Sequence, residues 1–350
     1  MRFMSDNIRT GVIGFGLAGR IFHTAVIAAT PGLELACIVQ RTGDDAARAY
    51  PGVKIARSID ELLADDSIGL VVVATPSADH YEHAAQCLKA GRNVLIDKPF
   101  TLTSDEARKL IQLARERNLL LTAYQSRRWD GDFVTLKQVI ASGELGRIVT
   151  FESHMDRYRA EPRKHAWRES GGPGGGILFD LGAHLIDQAT VLFGDPASVW
   201  ADVRVERDSA KADDAFDVQM KFAGVTALLR STLTAATPGP RFQVHGTRGS
   251  FTKFGIDPQE EQLKADMKFT DPGFGKEPEN LWGVLQIAGE PPRKIETAAG
   301  DYRDLYANVR DALLGSGKLE VTAEQALRTT RLIELCRESA SSGCTVRYSG

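Results

Sequence analysis

The sequence predicts an α/β fold: a doubly wound parallel sheet at the N-terminus, then a second domain of α+β type built on a mixed or antiparallel sheet. Three observations carry this. Through the first 125 residues, short apolar runs alternate with helical patterns. The first of those runs opens through a glycine-spaced turn directly into a helix. After residue 126 the order changes, and period-2 segments follow one another without helices between them.

Taken in order, residues 10–13 read as a short strand, 19–29 as a helix and 33–39 as a second strand. A short helix follows over 59–64. The run Leu70, Val71, Val72, Val73 and Ala74 has no polar alternation, which suits a parallel strand covered on both faces. Residues 80–90 are helical and end at Gly91. Residues 93–96 form another buried strand, 104–118 a helix with Ser104 as its N-cap, and 119–124 a last strand. The predicted first domain is 1–126.

The second domain, 127–350, opens with a helix over 131–141 and a strand over 148–156. A glycine-rich break over 171–176 leads into an apolar helix over 177–193. Period-2 segments then cover 198–206, 216–222, 226–233, 241–246 and 250–254. Residues 257–292, rich in proline, glycine and charge, read as a long excursion beside the active-site cleft or an oligomer contact. Helices over 302–314 and 323–339 close the chain.

Composition excludes several classes. The chain carries 43 basic and 46 acidic residues, so nothing favours a nucleic-acid partner. No run of about eighteen apolar residues exists to span a membrane, and residues 1–10 lack a signal-peptide core. The four cysteines, Cys37, Cys87, Cys336 and Cys344, show no C-x-x-C pairing and read as free thiols of a reducing compartment, the cytoplasm. His80, His83, His154, His165 and His245 show no ligand spacing with acids or cysteines, so no metal is expected.

Gly14, Phe15, Gly16, Leu17, Ala18 and Gly19 spell G-x-G-x-x-G between a strand and a helix. The first glycine permits the tight turn, the second lets backbone approach a pyrophosphate, and the third lets the helix pack against the strand. The helix N-terminus then faces the phosphates. This predicts a Rossmann dinucleotide site. At the end of the second strand, an acid would accept the 2′-hydroxyl of NAD, whereas an arginine would pair with the 2′-phosphate of NADP. The sequence there is Gln40, Arg41 and Thr42, with no acid before Asp44, which predicts NADP over NAD.

Two further motifs carry chemistry. Asp97, Lys98 and Pro99 stand at the carboxyl end of a predicted strand, the edge where open α/β sheets bind ligands. There Lys98 offers a charged donor to a substrate oxygen; a strand-end salt bridge is the plainer alternative. Asp180 and His184 follow the glycine-rich break at i and i+4, on one face of a helix. The imidazole can carry a proton, and the carboxylate can orient it. Asp187 could help from the same face. A surface Asp–His pair is the alternative.

The order of Gly14, Gly16 and Gly19, then Thr75 and Pro76 with His80, then Asp97-Lys98-Pro99, then the glycine-rich D-x-x-x-H segment resembles the glucose–fructose oxidoreductase/inositol dehydrogenase/MocA family over essentially the whole chain. The resemblance implies a catalytic trio of Lys98, Asp180 and His184. It implies cofactor contacts from Thr75, Pro76, His80, Asp97 and Lys98, and from Trp167 and Arg168 near the nicotinamide. It implies a cis bond before Pro99 and an open sheet used for homo-oligomer contacts, in a dimer or tetramer. Asp97 departs from the usual Glu of the family's E-K-P motif, which shortens the acid and leaves its charge. The runs Arg127-Arg128-Trp129-Asp130 and Asp156-Arg157-Tyr158-Arg159 resemble the NADP-dependent scyllo-inositol dehydrogenase subgroup, and so imply a cyclic polyol or sugar substrate, with Trp129, Arg157 and Tyr158 as candidate contacts. Two other readings stay open at this point: a non-catalytic NADP-binding sensor, and a family enzyme acting on another substrate such as a glycoside or an imine.

Overall fold

The continuous apolar runs become the inner strands of a parallel sheet in the computed structural model, which describes residues 7–163 and 167–349. His165, one of the histidines weighed above, and residues 1–6 lie outside the described residues. Six strands, β1 (Ile8–Ile13), β2 (Leu33–Val39), β3 (Lys54–Ala56), β4 (Leu70–Val73), β5 (Asn93–Ile96) and β6 (Leu121–Ala123), lie in the order β3-β2-β1-β4-β5-β6. All pairs are parallel. Every residue of β4 is fully buried, as its lack of polar alternation requires. The strand order reverses between β1 and β4, so the crevice for a ligand lies at their carboxyl ends.

Local details differ from the sequence reading where the signal is short or a cap is ambiguous. A one-turn helix, Asp45–Ala49, and the edge strand β3 went unread. Thr103, not Ser104, caps the helix Ser104–Arg117: its hydroxyl accepts from Glu106 N while the Glu106 carboxylate accepts from Thr103 N. The T-x-x-E spacing closes this reciprocal box, which Ser104, one residue on, cannot do.

The second sheet has nine strands: β7 (Ile148–His154), β8 (Ser198–Arg204), β9 (Ala215–Phe222), β10 (Val225–Thr232), β11 (Phe242–Gly246), β12 (Gly249–Lys253), β13 (Gly283–Ile287), β14 (Arg293–Ile295) and β15 (Val346–Arg347). Their order is β14-β13-β12-β11-β7-β10-β9-β8-β15. Only the β7–β10 pair is parallel among the described pairs, so the sheet is mixed. Alternate residues such as Phe151, Phe216, Ala227, Val244 and Phe251 enter one core with Phe133, Leu185 and Leu332. Residues 257–292 are not a structureless excursion. They hold the helix Gln259–Lys264 and β13, which extends the sheet.

The chain forms two compact units. One comprises residues 1–126 with 302–330; the other comprises 127–301 with 331–350. Residues 302–330, grouped with the second domain by sequence, therefore pack with the first. The reason is apolar and specific. Leu305, Tyr306 and Val309 of the helix Arg303–Leu314 are buried, the Tyr306 hydroxyl meets His23 Nδ1 at 2.7 Å, and Thr122 Oγ1 donates to Val321 O at 2.7 Å. Among the described residues no helix is long and apolar enough to cross a membrane.

Candidate active site

In the first unit, the turn after β1 is shaped by its glycines. Gly14 has a φ of +103°, and a Cβ there would stand 2.6 Å from Ala74 O. A Cβ on Gly19 would stand 2.1 Å from Gly14 O. A Cβ on Gly16 would meet nothing within 4 Å, so the space beside its backbone is open. That open cradle, at the start of the helical segment Gly19–Thr24 and beside the strand switch point, fits a dinucleotide pyrophosphate. Phe15, Leu17 and Ala18 complete the turn, with Leu17 exposed.

The loop after β2 is held from a distance. Arg57 donates to Gln40 O at 3.0 Å and Gly43 O at 2.6 Å, and pairs with Asp44 at 2.7 Å. Gln40 Oε1 accepts from Ala46 N at 2.8 Å. Asp44, the nearest acid, is thus engaged by Arg57, while Arg41 and Thr42 are exposed on the loop.

Parallel pairing sets Ile13, Val73 and Ile96 side by side. The glycine turn and Asp97-Lys98 therefore leave the same sheet edge two strand spacings apart, roughly 10 Å. Asp97 is 5% exposed and accepts from Lys98 N at 2.8 Å, with His23 Nε2 at 3.6 Å. Burial raises its pKa, but His23, Lys98 and His80 outweigh burial and hold it at about 2. The carboxylate is ionised and fixes the strand end from which half-buried Lys98 projects. The Lys98–Pro99 bond is cis. Thr75 Oγ1 lies 3.2 Å from His83 Nδ1, and Pro76 precedes the turn Ser77–Asp79.

His80, expected as a cofactor contact, has another task. It is 1% exposed, with Nδ1 at 2.8 Å from Pro99 O and Nε2 at 3.0 Å from Thr75 O. Burial pushes its pKa down. The ring ties the loops after β4 and β5 together.

In the second unit, the glycine-rich run lets the chain fold back, with Gly176 at φ +91° and its N–H donating to Arg168 O at 2.8 Å. Asp213, distant in sequence, caps the helix that follows: its carbonyl accepts from Ile177 N at 2.8 Å and its Oδ2 from Leu178 N at 2.9 Å. The first turn, Leu178–Gly182, is π-helical and continues as the α-helix Ala183–Phe193. Asp180 lies in the wide turn and His184 just beyond it, so their four-residue spacing is not that of a regular α-helix. His184 is 4% exposed, and Asp180 is a third exposed with Arg168 Nε at 3.4 Å.

Asp180 lines a cavity of about 140 Å³ together with Arg157, Trp167 and Arg168. The Arg168 guanidinium stacks 4.5 Å from the Trp167 ring centroid. Two expected substrate residues do not line this cavity. Trp129 is buried, with its carbonyl accepting from Gln259 Nε2, and Tyr158 is 64% exposed beside Thr234. Asp187 is likewise unavailable to the pair, because Arg128 holds it at 2.7 and 2.8 Å in a buried two-pronged ion pair. Among the described residues no three His, Cys, Asp or Glu side chains group as a metal site.

Residues 8–125 match the model for the NAD-binding Rossmann fold of an oxidoreductase family, and residues 137–347 match the model for its C-terminal alpha/beta domain. The chain belongs to the glucose–fructose oxidoreductase/inositol dehydrogenase/MocA family. It is an oxidoreductase with a nicotinamide-dinucleotide domain. It is 42% identical to the oxidoreductase YdgJ of Escherichia coli (strain K12), over 98% of this chain and 99% of that one. It is 35% identical to the scyllo-inositol 2-dehydrogenase (NADP(+)) IolW of Bacillus subtilis (strain 168), over 97% and 96%. The solved structure of yvaA from Bacillus subtilis superposes with a TM-score of 0.94 at 35% identity, covering 98% of this chain and 99% of that one. Within this family fold, sequence reasoning missed His23, Arg57 and Asp213. Each acts through a partner distant in sequence, and only G-x-G-x-x-G followed four residues later by His23 gave a local cue.

Proposed function

We propose that the protein transfers a hydride between NADP and a secondary hydroxyl or ketone of a cyclic polyol or sugar, with Lys98, Asp180 and His184 as its catalytic residues. The observation that carries this is Lys98, set by the ionised Asp97 at the same sheet edge as the open glycine cradle. When bound, the nicotinamide supplies the hydride acceptor or donor. In the oxidising direction the His184 imidazole takes the hydroxyl proton. The Lys98 ammonium stabilises the oxygen as negative charge develops on it, and Asp180 orients the imidazole. Trp167 and Arg168 border the nicotinamide end, and Arg157 contacts the substrate. The preference for NADP rests on exposed Arg41, on the engagement of Asp44 by Arg57, and on the likeness to IolW. Outward-facing Trp200, Leu228 and Val284, on alternate positions of the nine-stranded sheet, support assembly into a homo-oligomer.

The test is reduced-cofactor absorbance over a panel of polyols and sugars with each cofactor. Turnover is expected with NADP, and Lys98→Ala should lower kcat by about three orders of magnitude while the cofactor Kd stays within a few-fold. A Lys98→Ala protein with normal kcat removes Lys98 from the chemistry. Tighter binding of NAD than of NADP overturns the cofactor assignment.

A further inference from the structure

The cavity that holds Asp180 has a charge imbalance, and this bears on the class of substrate. Among the described residues, five arginines and three carboxylates line it. Most of these groups satisfy one another. Arg207 is buried between Asp214 at 2.8 Å and Glu169 at 3.0 Å. Arg159 shares Glu169 at 2.9 Å, and Arg168 lies between Asp180 and the Trp167 ring. Asp213, the third lining carboxylate, is spent on the helix start and on Arg337 at 3.3 Å.

Two guanidinium groups are less fully compensated. Arg157 reaches a carboxylate only at 3.9 Å, on Glu260. Arg163 makes no ion pair among the described residues, although its backbone N–H is fixed to Glu169 Oε2 at 3.2 Å. The imbalance is felt inside the cluster. Burial lowers the pKa of Arg159, and the positive charges of Arg163 and Arg157 lower it further against the pull of Glu169. A neutral polyol leaves that repulsion in place. An anion relieves it and offers planar or tetrahedral oxygens to forked donors.

We infer that this cavity takes the carboxylate or phosphate of an anionic sugar or polyol, held by Arg163 and Arg157 beside Asp180. The inference rests on the oxidoreductase reading above and narrows its substrate to an acid or a phosphate ester. The cavity, of about 140 Å³, has room for such a group.

The test uses the full-length protein with NADP and three probes that share one ring: D-glucose, D-glucuronate and D-glucose 6-phosphate. Affinity is read from intrinsic tryptophan fluorescence, because Trp167 lines the cavity. At least one anion should bind about tenfold or more tighter than glucose at low salt, and the preference should shrink as salt screens it. Comparing the two anions separates carboxylate from phosphate. Arg163→Gln should cut the anion-to-neutral affinity ratio about tenfold, with Arg163→Lys recovering part of it. Equal affinity for all three probes overturns the inference, as does an unchanged ratio in Arg163→Gln with an unchanged circular dichroism spectrum. Turnover is read separately. Anion binding without cofactor reduction on any polyol or sugar defeats the dehydrogenase reading alone, and turnover of neutral substrates with no anion preference defeats this inference alone.

Discussion

Buried carboxylates set the behaviour of individual residues in the second unit. Asp257 is 3% exposed, with its oxygens accepting from Gly131 N at 2.6 Å and Gln259 N at 2.9 Å. Burial, and then the charge of Asp132, raise its pKa to about 7. The folded state therefore holds a proton that the unfolded chain releases near pH 4. The stability this gives is complete below about pH 4 and is lost as pH rises through about 7, by up to about 4 kcal/mol. Glu260 works in the opposite sense. Arg127, Arg157 and Lys264 overcome its burial and hold it at about 2, so its contribution is lost only as pH falls below the ordinary carboxylate range. Urea unfolding between pH 5 and 8 should show stability declining with pH, and Asp257→Asn should reduce that decline by about one proton's worth. An unchanged slope in the variant would show that Asp257 ionises normally. None of this was legible in the sequence, because an acid's burial is decided by chain segments far from it. The placement of the candidates Lys98 and Asp180 and of the three glycines was legible, because each sits by local spacing at a strand end or a helix start.

At the scale of elements, the same local logic succeeded for the inner strands, missed short edge strands such as β3, and failed at helix starts. The β-branched run of β4 and the alternation of β9 and β10 carry their burial in their own residues. The π-helical turns, Gly19–Thr24 and Leu178–Gly182, do not show in a pattern of apolar spacing, yet both fall beside candidate site residues, where such turns often gather. The cap from Asp213 was equally invisible, since it arrives 35 residues after Leu178. Asp213→Ala should cost about 1–2 kcal/mol, as losing an N-cap does, and Asp213→Asn, which retains an acceptor oxygen, should cost less. Urea midpoints of the full-length variants check this. If the Ala and wild-type midpoints coincide, the helix start holds without its cap.

Across the whole chain, the boundary near residue 126 was legible as a change of element order, but the return of residues 302–330 to the first unit was not. A helix over 302–314 reads the same whichever sheet it serves, and only its contacts with His23 and the first unit's core decide. A fragment of residues 1–126 should therefore lack a tight fold. It exposes the surface that Leu305, Tyr306 and Val309 cover, and it loses the hydrogen bond from Thr122 to Val321. Expressed alone, it should give a broad thermal transition and bind NADP at least tenfold more weakly than the whole chain, because the glycine turn leads into the segment carrying His23. A cooperative melt with full cofactor affinity would show that the returning segment is dispensable.

The interleaved path also has a consequence during synthesis. Translation at roughly 5–20 residues per second leaves the nascent Rossmann strands waiting roughly 10–40 s for the stretch that seals them. The nine-stranded sheet is completed later in the chain, by the strand Val346–Arg347 on its edge. Each unit therefore stays incomplete until a segment made after most of the other unit has been synthesised.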